Sequence, residues 1–173
     1  MFIRVAGTLL VMAGSAGLGM YFSAKESFRV QDLLEFKKAL LILSSEIEYM
    51  RSTLSEACAN IAKRTSMGVA DTFANFSKLL AHGEGETAYQ LWLAAMKPCK
   101  ETTCLSSEDF TVLEDFGKTL GYLDKQMQKN AIEYTVSYID EKAAALAAAS
   151  DKNKRMYRSL GVIGGLLLTV VLW

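Results

Sequence analysis

The stretch Gln31 to Met50, QDLLEFKKALLILSSEIEYM, decides how the chain is read. Its apolar residues Leu33, Leu34, Phe36, Leu40, Leu41, Leu43 and Ile47 recur at three- and four-residue spacing, with Glu35, Lys37, Lys38, Glu46 and Glu48 between them. That period belongs to an amphipathic helix, and no stretch downstream alternates with period two for long enough to be a strand. The chain has 173 residues, one proline, 51% apolar residues and equal numbers of basic and acidic side chains, 19 of each. One domain of helices is the expectation, and zero net charge argues against a nucleic-acid binder that works by bulk electrostatics.

Upstream lies an uncharged run of 18 residues, Val5 to Phe22 (VAGTLLVMAGSAGLGMYF). As a helix it reaches about 27 Å, close to the thickness of a bilayer's hydrocarbon. At the other end Leu160 to Trp173 (LGVIGGLLLTVVLW) is uncharged over 14 residues, short for a span unless Tyr157 and Arg158 reach the interface. A cleaved signal peptide is the competing reading of the first run, with Arg4 as its basic start and the small residues Ala13 to Gly17 as its cleavage region. Lys25 and Arg29 follow the first run, and Lys152, Lys154, Arg155 and Arg158 precede the second. Basic inner flanks predict that everything between the runs is cytoplasmic. The expected division is a transmembrane segment over 1–24, a helical domain over 25–158 and a second transmembrane segment over 159–173. Small residues four apart, Ser15 with Gly19 and Gly161 with Gly165, are candidates for close helix packing in the membrane. Val30 to Ser150 carries 12 basic and 17 acidic residues, 12 − 17 = −5, so the middle is acidic and its flanks basic. The basic flanks suit anionic headgroups.

Downstream, Thr53-Leu-Ser-Glu56 has capping-box spacing and starts a helix towards Arg64. Another runs from near Val69 to His82 and is expected to end on Gly83 and Gly85. A short one from Thr87 to Lys97 is stopped by Pro98, and a linker follows through Cys99 to Leu105. Ser106 with Asp109 opens a helix whose stripe is Phe110, Leu113, Phe116, Leu120 and Leu123. Its Gly117 and Gly121 share a face, which predicts a bend or a close neighbour. From Asp124 no breaker occurs before Gly161, so one long helix is expected to lead into the second apolar run. Short connections make neighbours antiparallel, giving an all-α antiparallel bundle.

Chemistry-bearing residues are sparse. There is no GxxxxGK[ST] loop, His82 is the only imidazole, and its place at a helix end suits a dipole-capping role better than catalysis. Cys99 and Cys104 have a spacing that fits neither zinc nor thioredoxin-like motifs, and Cys58 is expected in the core. No cofactor or metal is expected.

Several segments, in order and over nearly the whole chain, resemble the stage III sporulation protein AB family of endospore-forming bacteria. They are Gly7 to Val11 (GTLLV), Glu46-Ile47-Glu48-Tyr49 followed by Leu54-Ser55-Glu56-Ala57, and Ala88-Tyr89 to Trp92. Further on come Phe116-Gly117-Lys118-Thr119-Leu120-Gly121 with Asp124 and Gln128, and Met156-Tyr157-Arg158-Ser159-Leu160-Gly161. Where the family tends to have Pro-Leu, this chain has Thr53-Leu54. The resemblance implies a non-enzymatic protein of the mother-cell membrane, part of a channel complex facing the forespore. It also implies a domain like the type II secretion platform protein F, docked to a secretion-type ATPase, stage III sporulation protein AA, and a possible homo-oligomer. Glu46, Tyr49, Glu56, Phe116, Gly117, Gly121, Asp124 and Gln128 become the candidate family and partner residues. A passive helical tether, or a thiol- or metal-dependent membrane enzyme using Cys99, Cys104 and His82, are the competing functions.

Overall fold

A computed structural model describes the backbone of residues 2–49, 53–83, 85–121 and 124–172, and the side chains of 25–49, 53–66, 68–83, 85–121 and 124–149. Seven helices make up the described chain: α1 (Phe2–Tyr49), α2 (Leu54–Ala62), α3 (Met67–His82), α4 (Ala88–Met96), α5 (Cys99–Thr102), α6 (Ser107–Gly117) and α7 (Lys125–Leu172). No strand occurs among the described residues. The chain divides into two compact units, Phe28–Ala143 and the paired ends 1–27 with 144–173. The first lies inside the helical domain expected over 25–158. Both apolar end runs, and Ser15, Gly19, Gly161 and Gly165 within them, lie outside the residues whose side chains are described. Among the described residues no helix is long and apolar enough to cross a membrane.

Three of the short helices open on the same device. Thr53, Thr87 and Ser106 each stand in extended backbone, accept the N–H of the residue three on, and have their own N–H accepted by its side chain. Glu56 takes the Thr53 N–H at 2.9 Å, Gln90 takes that of Thr87 at 2.9 Å, and Asp109 takes that of Ser106 at 2.8 Å. Each box satisfies two donors that a helix start leaves orphaned. The Thr87 box, with glutamine in the third place, escaped the sequence reading.

Several boundaries differ from expectation for identifiable reasons. The helix expected to run past Leu120 ends at Gly117, and a turn follows over 118–121, where the Lys118 N–H bonds the carbonyls of Asp115 and Phe116. Leu123 lies outside the described residues. Pro98 does end α4, but its φ of −64° and ψ of −28° also suit a helix start, so the expected linker opens with the single turn α5. Gly83 ends α3 with φ −70°, and the left-handed residue is Gly85, at φ 81°. The connection therefore needs its glycine two residues later than a C-capping glycine would stand.

Packing runs α2 on α3, α3 on α4 and α4 on α6. The first helix contributes Leu33, Phe36, Leu40 and Leu43 to the core, all essentially fully buried. At the centre is Trp92, fully buried, with Phe73, Phe76 and Phe116 edge-on around it at centroid distances of 5.4, 5.2 and 6.0 Å. Its Nε1 donates to the Leu113 carbonyl at 2.8 Å, so the one polar atom of the ring is satisfied.

Polar contacts hold the two long helices. Lys37 meets Asp140 at 2.6 Å and Lys129 meets Glu48 at 3.1 Å. A step of eleven residues up α1 is a step of eleven down α7, so the helices run antiparallel within the bundle. Residues 28 and 143 consequently leave the bundle at one end.

A further polar contact, between α1 and α6, is partly buried. Arg29 Nε and Nη2 donate to the two oxygens of Asp109 at 2.7 and 2.9 Å, and Nη2 also reaches Ser106 Oγ at 2.8 Å. Tyr138 donates its hydroxyl to Asp109 at 3.0 Å. Burial raises the Asp109 pKa, but the bonds from Arg29, Ser106 and Tyr138 together outweigh it and hold the carboxyl below its ordinary range. Burial and the bond to Asp109 push the Tyr138 hydroxyl up. Asp109 thus caps α6 while tying it to α1 and α7.

Asp109→Ala should cost about 3 kcal/mol in urea unfolding, since it strands a partly buried arginine and removes a cap. A depressed carboxyl stabilises fully above its unfolded pKa, about 3.9, and that contribution fades as pH falls through the folded value. Asp109→Asn should therefore flatten the loss of stability between about pH 5 and pH 2 relative to the unaltered chain.

Candidate functional site

The motif residues separate into two groups once placed. Phe116 and Gly117 belong to the packing around Trp92. A Cβ built on Gly117 would collide with the indole, approaching Nε1 at 2.8 Å and Cγ at 2.9 Å, so only glycine lets α6 lie against that ring. Gly121, expected to share this constraint, does not: its added Cβ would meet only the Ala88 Cβ at 3.8 Å. Leu120 is buried, and Asp124 accepts the Gln126 N–H at 2.8 Å, capping the start of α7. Gln128 is half-buried on the first turn of α7, where its N–H bonds the Asp124 carbonyl. The FGxxLGxxD pattern is thus the joint between α6 and α7: ring seat, turn and cap.

The other group lies on or beside α1. Glu46 is 6% exposed and receives the Asn60 amide at 3.4 Å, while Glu56 closes the α2 capping box, where the Thr53 N–H lowers its pKa. Tyr49 is 80% exposed. With it, Leu34 and Leu41, expected in the core stripe, stand 46% and 48% exposed. Helix α1 carries apolar residues over a wider arc than the bundle covers. These residues, with Ile42, Ser45, Lys37, Lys38 and Arg64, line an open groove of about 700 Å³. Glu46 lines it as well, and its cations Lys37 and Lys38 are paired with Asp140 and Glu35, leaving Arg64 without a salt bridge among the described residues.

Two exposed acids are engaged: Glu48 with Lys129, and Asp115 with Lys118 at 2.6 Å. His82 is exposed at the end of α3, with Nδ1 2.9 Å from the Lys78 carbonyl. Burial pushes the Cys58 thiol up to about 12 and raises that of Cys99, so both behave as packing groups. Among the described residues no three of His, Cys, Asp and Glu are placed to hold a metal ion.

Nothing near Arg29 in sequence signals its bond to Asp109, 80 positions away. Sequence reading assigned Arg29 to the membrane flank and Asp109 to a cap, and each assignment left out the partner. The exposed Leu34 and Leu41 were missed because periodicity locates an apolar face but not how much of it neighbours cover.

The described residues thus form an all-helical bundle with a satisfied polar hub and an exposed apolar strip. The match to known proteins is specific. The family model described as stage III sporulation protein AB matches residues 4–173. The chain therefore belongs to the stage III sporulation protein AB family. The curated stage III sporulation protein AB of Bacillus subtilis (strain 168) is 28% identical over 170 residues, covering 98% of this chain and 99% of that protein. A solved structure of a stage III sporulation protein AB, also 28% identical, superposes with a TM-score of 0.66 and covers 72% of this chain and 97% of that one.

The two glycines of the motif make a discriminating pair. Gly117→Ala should lower stability by about 2 kcal/mol or more, because the indole or the backbone must move. Gly121→Ala should stay within about 1 kcal/mol of the unaltered chain, with either sign, by the same thermal or urea unfolding.

Proposed function

We propose that this sporulation protein is a non-enzymatic platform component of the channel complex between mother cell and forespore. In this reading its two apolar ends are anchored in the mother-cell membrane, and its bundle lies in the cytoplasm and docks a secretion-type ATPase. The observation that carries the reading is the antiparallel α1–α7 pair: Lys37 with Asp140 and Glu48 with Lys129 send both chain ends out of one end of the bundle. One bilayer then suffices for both apolar runs, and the basic residues beside them face the cytoplasm. Family membership supports the sporulation role, and the type II secretion likeness read from sequence motivates the ATPase as partner.

An acidic surface meeting basic patches on the ATPase would speed and orient docking. The free acids are the ones to reverse, because Glu48 and Asp115 hold intramolecular pairs. Asp71→Lys, Glu86→Lys and Glu101→Lys combined should lower recovery of the ATPase with this chain from solubilised membranes by about tenfold, leaving the chain folded. Unchanged recovery would contradict electrostatic docking. The thiol-enzyme alternative has its own check: a chain with Cys99→Ala, Cys104→Ser and His82→Gln should still support sporulation, counted as heat-resistant spores.

A further inference from the structure

The groove on α1 has a counterpart elsewhere on the same molecule. On α7, Met127 and Tyr134 stand seven residues apart and are 52% and 72% exposed. Exposed Glu133 and Glu141 lie beside them, and neither forms a salt bridge among the described residues. The groove offers Leu41 and Tyr49 as apolar seats; of its lining cations Lys37 holds Asp140 and Lys38 holds Glu35 within the copy, and the buried Glu46 also lines it. Arg64 has no salt-bridge partner among the described residues. Apolar anchors flanked by acids thus meet an apolar strip flanked by bases.

We propose that the α1 groove receives the outer face of α7 from a second copy of this chain. The two surfaces are different patches, so the contact is heterologous: each copy offers a groove to one neighbour and a helix to the other. Register supports it. Within one copy, Lys37 stands level with Asp140 and Glu48 with Lys129. If all copies are anchored in one membrane, a part of the inference that rests on the proposed function, rotation about the membrane normal preserves those levels. A neighbour's α7 then runs antiparallel to α1, as docking in the groove requires. Tyr134 falls between Leu41 and Ser45, Met127 comes beside Tyr49, and Glu141 comes beside Lys37 and Lys38. Opposite charges meet there, and the exposed apolar residues of both helices are covered together.

The test uses the full chain in detergent micelles and reads mass by analytical ultracentrifugation over a concentration series. The unaltered chain should associate. Lys38→Glu with Arg64→Glu, and separately Glu133→Lys with Glu141→Lys, should each raise the association midpoint about tenfold or more, since like charges then face each other. Mixing the two variants should restore association, because each reversed surface finds its complement on the other protein. A truncating pair, Leu41→Ala and Tyr134→Ala, gives the same loss without any charge change. A chain that stays monomeric throughout would overturn the proposal. So would association that neither reversal moves, or variants that mixing does not rescue, as expected if the groove holds another protein or lipid. Retention in membranes after carbonate washing, measured on the same proteins, separates failed anchoring from failed pairing.

Discussion

The Arg29–Asp109 contact is the constraint on which the arrangement turns. A carboxylate with no exposed side-chain surface is tolerated only when its oxygens are matched, and here they accept from a guanidinium, a hydroxyl and a backbone N–H. The same residue caps α6, so the start of that helix cannot shift without stranding a charge. The pair joins the first helix to the sixth and, through Tyr138, to the seventh. The matched charge fixes their register.

Around that fixed point the core is built on one aromatic. Trp92 fills the space between α3, α4 and α6, and Gly117 exists to let it in. Beyond Gly117 the chain turns over 118–121, and Asp124 caps the start of the long return helix. Antiparallel α1 and α7 follow, with both chain ends leaving together.

Helix type and number were largely legible in the sequence, because three- and four-residue apolar spacing and the Thr53 and Ser106 boxes are local signals. Tertiary causes were not. The seat of Trp92 against Gly117 is a tertiary contact, and nothing in the run Phe110 to Leu120 announces it. Arg29 reads as one more basic residue beside an apolar run, since its partner is remote. The motif residues Phe116, Gly117 and Asp124 were recognisable as a set, yet their role is a structural joint. Leu34 and Leu41, which periodicity had counted as core, are instead exposed.

The placement of the bundle relative to the membrane is the central claim, and one topology measurement bears on it directly. A short protease site can be inserted at Gly85, in an exposed connection with no atom near an added side chain. Membranes from sporulating cells carrying that chain are then prepared as inverted vesicles and as sealed right-side-out ones. Cleavage of inverted vesicles alone, with both fragments retained in the membrane, is the predicted result. Cleavage of right-side-out vesicles, or release of a fragment into solution, would contradict it.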